Sequence, residues 1–250
     1  MKLTIMTYNI QHGVDHLLRL NQPGLTDTHL IHLDRFAKAI APFHPDILSL
    51  NEMRNASPEP GFSAQAQILA EALQMPYFYF AEALPAGHHG PYGNTLLSRF
   101  LFASIEKVMI PDPDTFRPGG HYETRCLIRA QVDTGHGMIT VMNTHFGLEG
   151  EEAENAVKTA LSLTDSEKPT LLMGDFNVTP DSPILSPLLA VYQDSAALLP
   201  PNTRTYPSHA PEIKIDYILG CGPLVFTKAQ VPDLVVSDHL PYLAEIEVFE

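Results

Sequence analysis

The sequence has no long hydrophobic run. None of its apolar stretches approaches the ~20 consecutive residues that a membrane-spanning helix requires. The N-terminus also lacks a hydrophobic segment followed by a cleavage site, so we expect no cleaved leader and interpret residues 3–8 as the first strand. Hydrophobic residues make up 44% and charged residues 18% of the 250 residues, which is typical of a globular protein. We expect one domain over residues 1–250.

Cysteine is nearly absent. Cys126 and Cys221 are the only two cysteines, and they do not have the C-x-x-C spacing of many metal and redox sites. We therefore expect two reduced, partly buried thiols rather than a disulfide or a metal site. This usage fits a cytoplasmic location, where disulfides are rare.

Basic residues are also few. The chain has 15 Lys+Arg against 29 Asp+Glu, which gives a formal net charge of −14. Proteins that grip long nucleic acids present a basic face, and no cluster of Lys or Arg occurs in this sequence. The charge therefore argues against tight, nonspecific binding to a duplex. It does not exclude a nuclease, because a bound divalent cation and a few arginines can offset acidic charge locally.

Predicted strands occur both in runs and in alternation with helices, without a repeat or a linker. Apolar stripes predict helices at roughly residues 26–40, 63–73 and 149–163. Residues 13–26 are predicted to be a loop, and Pro/Gly-containing turns are predicted at residues 57–61, 88–91 and 111–120. This pattern favours an α+β sandwich with helices outside stacked sheets.

Polar side chains follow five of the predicted strands. The stretch GDFNVTP, residues 174–180, places Asp175 and Asn177 just past an apolar run at residues 170–173. If the strand geometry persists, residues two apart face the same side, so the carboxylate and the amide project together. The other four clusters are Thr7–Asn9, Asn51–Glu52, Asn143–His145 and Ser237–His239. We expect all five to converge on one site.

Oxygen ligands dominate these clusters. Asn9, Glu52 and Asp238 form a candidate metal side, and such hard donors suit Mg²⁺ or Mn²⁺. Zinc would favour more histidine or cysteine ligands. Glu52 is the predicted direct ligand, with Asn9 and Asp238 beside it, binding directly or through water.

Two imidazoles beside such a site indicate phosphoester cleavage. His145 and His239 could act as base or stabilise developing charge, and Asp216 could orient His239. Arg125 could contact the phosphate directly. Each cluster alone is equally well explained as a strand end, an Asx turn or a helix cap, and the functional interpretation depends on their co-occurrence. His12 and His16 are among seven further histidines that we expect in loops or on the surface.

Seven motifs in order strengthen this interpretation: TYNIQHG, LSLNEM, YGN, NTHFG, GDFNVTP, IDYIL and SDHLP. Together, between Thr7 and Pro241, they resemble the deoxyribonuclease I-like endonuclease/exonuclease/phosphatase superfamily. The resemblance implies a four-layer α/β/β/α sandwich, in which two packed mixed sheets are flanked by helices and the site lies at one edge.

The resemblance also implies roles for the individual residues. Asn9 and Glu52 correspond to the metal side, which Asp238 completes. His145 corresponds to the histidine that contacts the scissile phosphate or the leaving oxygen, and Asp175 and Asn177 to the pair that positions water and phosphate. Asp216 and His239 correspond to an acid–imidazole pair, and the general base could be Asp175 or His239. Gln11, where apurinic endonucleases carry an aspartate, and the presence of His145 move the chain towards deoxyribonucleases, sphingomyelinases and phosphatases.

The sequence thus predicts a Mg²⁺- or Mn²⁺-dependent hydrolase that cleaves a phosphoester by in-line attack of water. The acidic charge favours a phosphodiesterase or phosphatase with a small or lipid-like substrate. An endonuclease or exonuclease on DNA or RNA is the alternative, which the same charge disfavours. A non-catalytic binding module is less consistent, because no motif residue is missing.

Overall fold

The computed structural model describes residues 1–56, 61–85, 90–114, 116 and 118–249. Residues 57–60, 88–89, 115 and 117 of the predicted turns lie outside this range. The strands of the described part are β1 (Lys2–Asn9), β2 (Ile47–Arg54), β3 (Tyr77–Pro85), β4 (Pro91–Ser98), β5 (Leu101–Met109), β6 (Cys126–Asp133), β7 (Met138–His145), β8 (Thr170–Asp175), β9 (Gln193–Asp194), β10 (Asp216–Cys221), β11 (Leu224–Gln230) and β12 (Tyr242–Val248).

These strands form two six-stranded mixed sheets. The first has the order β11-β12-β1-β2-β4-β3 and the second β5-β6-β7-β8-β10-β9. Each sheet contains one parallel pair near its centre, β1 with β2 and β7 with β8, and the remaining neighbours are antiparallel. The carboxyl ends of these four parallel strands carry four of the five predicted polar clusters. The fifth, Ser237–His239, does not follow a strand but lies in the connection between β11 and β12.

Helices cover the outer face of each sheet. They are α1 (His16–Asn21), α2 (Asp27–Leu30), α3 (Leu33–Ile40), α4 (Gln65–Ala72), α5 (Gly150–Ser162) and α6 (Ser186–Leu189). α3 and α4 pack with Met6 and Leu48 of the first sheet, whereas α5 packs with Met142 and Leu172 of the second. None of the helices in the described ranges is long and apolar enough to cross a membrane.

The central strands are buried on both faces. Ile5 and Leu171 lie in the core between the two sheets, and their sequence neighbours Met6 and Leu172 lie under the outer helices. Because side chains alternate along a strand, burial on both faces requires the nearly continuous apolar runs of this sequence. The structure confirms the predicted α/β/β/α sandwich.

The segment before α3 differs from the prediction. Residues 13–26, predicted to be a loop, contain α1, whose first turn is capped because Leu18 N donates to Asp15 Oδ1 at 3.0 Å. The single helix predicted for residues 26–40 is divided into α2 and α3. The division occurs because Ile31 is extended (φ −77°, ψ 118°) and forms an isolated β-bridge with Val14.

Candidate active site

The carboxyl ends of β1, β2, β7 and β8 meet at one edge of the sandwich. In the second sheet, Asp175 is in register with both His145 and Asp216. Asn9, from the first sheet, donates its Nδ2 to Asp175 Oδ2 at 3.0 Å and to Glu52 Oε1 at 3.2 Å. A single buried amide therefore connects the carboxylates of the two sheets, as the convergence hypothesis requires.

A network of buried asparagines holds the two sheets together beneath this edge. Asn51 Nδ2 donates to Asn94 Oδ1 at 2.9 Å and to Asn143 Oδ1 at 3.0 Å, and Asn51 Oδ1 accepts from Asp175 N at 3.0 Å. All three amides are buried, so their hydrogen bonds must be satisfied within the protein. Asn51 and Asn143 of the predicted clusters thus lie beneath the site and hold the backbone that carries it.

Gly174 allows the sheets to approach at this point. Its φ is +139°, and a Cβ there would lie 1.8 Å from Thr144 O and 3.3 Å from Asn51 Oδ1. Only glycine fits both the backbone conformation and the available space.

Asp175 and Asn177 come together through a turn rather than along a strand. β8 ends at Asp175, and Asn177 has a left-handed φ of 51°. The N–H of Asn177 donates to Asp175 Oδ1 at 2.9 Å, which is an Asx turn. The motif therefore does form the Asx turn that the sequence analysis considered as its structural explanation. The turn uses Oδ1 of Asp175 and leaves Oδ2 facing Asn9 and the two histidines.

His239 lies between two carboxylates. Its Nδ1 is 3.0 Å from Asp216 Oδ2, and its Nε2 is 3.5 Å from Asp175 Oδ2. Burial alone would lower the pKa of His239, but the charges of Asp216 and Asp175 outweigh it and raise that pKa well above its usual range. At neutral pH the ring is therefore an imidazolium, with both nitrogens protonated.

The groups Asp175, Asp216 and His239 could also hold a metal ion by distance alone. Their possible ligand atoms all lie within 4.8 Å of one another, and all three residues are buried. A protonated imidazole has no lone pair for a metal, however, and Nδ1 is already directed at Asp216. We therefore interpret this cluster as an acid–imidazole pair beside a carboxylate.

His145, unlike His239, is uncharged. Burial, followed by the charge of Arg125, lowers the pKa of His145 well below its usual range, so the ring is neutral. Its Nδ1 lies 3.1 Å from a terminal guanidinium nitrogen of Arg125. Because a guanidinium can only donate, Nδ1 accepts and the proton of the ring is on Nε2. That nitrogen lies 3.5 Å from Asp175 Oδ2 and 3.1 Å from Asn177 Nδ2.

The predicted metal side contains one further oxygen donor. Gln11 donates its Nε2 to Asp238 Oδ2 at 2.9 Å and its backbone N–H to Asn9 Oδ1 at 3.1 Å. Its Oε1 is buried and has no hydrogen-bond partner in the described part of the chain. Burial raises the pKa of Asp238. Glu52 lies nearby in a left-handed backbone conformation (φ 56°), where β2 is irregular.

A cavity of about 520 Å³ opens beside these groups. All of the predicted site residues line it except Asn9 and Asp216, which are buried behind Glu52 and His239. Residues that the sequence analysis did not assign to the site also line it, among them His12, Arg54, Tyr92 and Tyr206. The Tyr206 ring packs against His239 at a centroid distance of 4.8 Å with the planes tilted by 49°, and the His12 ring meets Tyr92 edge-on at 5.4 Å.

Comparison with known families gives an independent result. The model of the endonuclease/exonuclease/phosphatase family matches residues 6–239, which is nearly the whole chain. The chain belongs to this family. Members of the endonuclease/exonuclease/phosphatase family are typically hydrolases of phosphoesters. A search among curated proteins gave no match.

Solved structures of similar fold support the architecture. A family member from Bacteroides vulgatus has a TM-score of 0.77 at 19% identity, with both chains fully covered. One from Beutenbergia cavernae has a TM-score of 0.75 at 24% identity and covers 99% of this chain and 72% of its own. A mannosyl-6-phosphatase from Bacteroides thetaiotaomicron has a TM-score of 0.75 at 16% identity, covering 98% and 99%. At these identities the likeness demonstrates the fold alone.

Two of the unassigned cavity residues could have been identified from the sequence. Arg54 follows Glu52 by two positions, so it faces the same side of β2, and Tyr92 begins the YGN motif. His12 lies within the TYNIQHG motif, but nothing in the sequence placed its side chain in the cavity, because its conformation is set by distant contacts. Tyr206 lies outside the seven motifs. His12, expected in a loop or on the surface, lines the cavity, and His16 is buried.

Proposed function

We propose that the protein is a Mg²⁺- or Mn²⁺-dependent phosphodiesterase or phosphatase that acts on a small phosphoester by in-line attack of water. The observation that carries this proposal is the environment of Asp175. Its Oδ2 lies 3.5 Å from the charged His239 and 3.5 Å from the neutral His145, at the wall of the cavity. A carboxylate with one imidazolium and one neutral imidazole suits proton transfer beside a phosphate.

The donors of the metal side fit a hard divalent cation. Carboxylates of Glu52 and Asp238 and the unpartnered Oε1 of Gln11 are all oxygen donors, which Mg²⁺ and Mn²⁺ prefer. We assign Glu52 as the direct ligand and Asp238 and Gln11 as its neighbours. Asn9 positions Glu52, because its Nδ2 rather than its oxygen faces that carboxylate. The cation would supply positive charge to the phosphate oxygens.

Asp175 is the better candidate for the general base. Burial raises its pKa, with the charge of His239 opposing the rise, so the carboxylate is more basic than in water. His239 is already protonated, so it can stabilise developing negative charge but cannot accept a proton. In this proposal Asp175 takes the proton of the attacking water, Asp216 keeps His239 charged, and Arg125, His145 and Asn177 hold the phosphate.

The size and charge of the cavity favour a small substrate over a nucleic acid. Among the described residues that line it, Arg54 and Arg125 are the only Lys or Arg residues, against the four acids Glu52, Glu123, Asp175 and Asp238. A nuclease needs a track of positive charge along several phosphates. A volume of about 520 Å³ suits a ligand of the size of a nucleotide or sugar phosphate.

The test is hydrolysis of bis-p-nitrophenyl phosphate and p-nitrophenyl phosphate with Mg²⁺. Asp175→Asn and His239→Gln should each lower kcat by about 10²-fold or more, because each removes a group that acts on the reacting atoms. Asp165→Asn is the matched control, since Asp165 pairs with Lys168 on the surface. Unchanged rates in the two site variants would contradict the assignment. Faster turnover of DNA or RNA than of any small phosphoester would contradict the substrate class.

A further inference from the structure

A fully buried glutamine joins two segments of the cavity wall. Gln65 accepts from Arg54 N at 2.9 Å through Oε1, and its Nε2 donates to His12 O at 2.5 Å and to Gly61 O at 2.9 Å. These bonds fix the backbones of residues 12 and 54 relative to each other. The two side chains that these residues present to the cavity are fixed as a pair.

The backbone at His12 is held in an unfavourable conformation. Gln11, His12 and Gly13 have successive positive φ values of 45°, 60° and 81°. A non-glycine residue in this region costs of order 1 kcal/mol, and such strain concentrates at ligand-binding sites. Here the conformation directs the His12 ring onto the edge of Tyr92.

One polar atom of each member of this pair has no hydrogen-bond partner within the described part of the chain. Arg54 Nε and His12 Nδ1 are both buried without a hydrogen-bond partner. One terminal nitrogen of Arg54 donates to Gly90 O at 3.1 Å, and no carboxylate of the described residues lies within 4.0 Å of the guanidinium. Buried donors without partners are costly, and a planar guanidinium with free N–H groups is suited to a phosphate or carboxylate.

Tyr92 separates this pair from the groups proposed to hold the scissile phosphate. The Arg54 guanidinium lies 4.9 Å from the centre of the Tyr92 ring, whereas the Tyr92 hydroxyl lies 3.5 Å from Arg125. Arg125 is neutralised by Glu123 at 2.9 Å and contacts His145. Arg54 is therefore a second positive charge in the same cavity, across one aromatic ring from the first. Among the described residues no carboxylate pairs with it directly, and the charges of Glu52 and Glu123 act on it from farther away.

We propose that Arg54, His12 and Tyr92 form a second anion-binding subsite, so that the preferred substrate is a small phosphoester carrying a second phosphate. This inference rests on the proposed function, because the first phosphate occupies the site of Arg125, His145 and Asn177. Glu52 lies 3.7 Å from His12 Nε2, so Arg54 provides most of the attraction for the second group. Tyr92 supports the guanidinium by cation–π contact.

The test compares matched ligand pairs by calorimetric titration in the Asp175→Asn background, which suppresses turnover. The pairs are fructose 1,6-bisphosphate with fructose 1-phosphate and 2,3-bisphosphoglycerate with 2-phosphoglycerate. We expect the bisphosphate of at least one pair to bind about tenfold or more tightly, since hydrogen bonds to charged groups contribute this much. Arg54→Gln should abolish the preference for the bisphosphate. Arg54→Lys should retain part of that preference, and it replaces Arg54→Gln if the latter does not fold.

Arg129→Gln is the control, because Arg129 pairs with Glu106 at 3.2 Å on the second sheet, outside the cavity. This variant should leave the preference for the bisphosphate unchanged. Equal binding of both members in both pairs, or a preference that persists in Arg54→Gln, would overturn the subsite. Hydrolysis of bis-p-nitrophenyl phosphate by the unaltered protein is measured separately. Its absence would count against the proposed function, whereas the titration decides the subsite by binding alone.

Discussion

Nε2 of His239 lies 3.5 Å from Oδ2 of Asp175, across the junction of the two sheets. Asp175 ends β8 in the second sheet, and His239 lies in the connection between β11 and β12 of the first. The contact therefore exists only when the sandwich is fully assembled. Since Asp216 holds the other ring nitrogen at 3.0 Å, the imidazole has a fixed orientation as well as a raised pKa.

Replacing Asp216 tests whether it acts through His239. Asp216→Asn keeps the shape of the side chain but removes the charge that keeps His239 protonated, so kcat should fall by about 10²-fold or more while KM changes little. The variant should fold, because an amide can still hydrogen bond to the ring. Steady-state rates with bis-p-nitrophenyl phosphate check this. Asp165→Asn is the control, because Asp165 pairs with Lys168 on the surface and does not line the cavity. A uniform rise in KM without loss of kcat would argue against a role beside the reacting atoms.

Removal of metal should abolish hydrolysis. We expect no turnover in EDTA and recovery with Mg²⁺ or Mn²⁺, because acidic groups line the cavity where a phosphate must bind. Glu52→Gln should raise the concentration of Mg²⁺ needed for half-maximal rate by about tenfold or more, since it removes the proposed direct ligand. Glu106→Gln, on the surface, should leave that concentration unchanged. Full activity in EDTA would contradict the metal assignment.

Gly174 should be indispensable for stability. Gly174→Ala places a Cβ 1.8 Å from a backbone oxygen that cannot move without separating β7 from β8, so we expect a loss of about 3 kcal/mol or more in the free energy of unfolding. Gly135→Ala is a matched control, because its φ of +75° is also positive but nothing lies within 4 Å. That variant should lose only about 1 kcal/mol. Urea unfolding of both proteins measures the difference, and similar losses would show that backbone strain alone accounts for the effect.

The sequence predicted those features that depend on local pattern. Strands such as residues 170–173 were recognisable because burial on both faces requires continuous apolar residues, and polar residues immediately after them marked the site edge. The family resemblance and the four-layer architecture that it implied are both confirmed. α5 was predicted within one residue of its observed ends, since its apolar stripe is regular.

Other features depend on partners distant in sequence. The break at Ile31 arises from a bridge to Val14, which no local propensity signals. The position of His12 in the cavity depends on Gln65, more than fifty residues later, and on the strained conformation of residues 11–13. The pairing of His239 with Asp175 requires the packing of one sheet on the other. The residues that form such contacts can be identified from the sequence, but which of them pair with each other cannot.

Lys214 is a buried charge outside the cavity wall. Its Nζ has no hydrogen-bond partner in the described part of the chain, lies 3.6 Å from Asp194 Oδ2 and stands 3.3 Å from the centre of the Tyr217 ring. Burial lowers the pKa of Lys214 to about 8, although Asp194 and Asp216 oppose the shift. The unfolded chain therefore binds a proton that the folded protein lacks between pH 8 and the ordinary value of 10.5.

Lys214→Met should consequently stabilise the protein at pH 7, by about 1–3 kcal/mol, because it removes the cost of burying the charge. As the pH rises through this window, Lys214 loses its proton in the folded protein and destabilises it less. The advantage of the variant should therefore shrink between pH 7 and pH 9.5. Urea unfolding of both proteins at the two pH values gives the difference, in which all other titrating groups cancel. Lys158→Met, on the exposed face of α5, should change stability by less than about 0.5 kcal/mol at either pH. An advantage that stays constant or grows with pH would mean that the folded protein does not lower the pKa of Lys214.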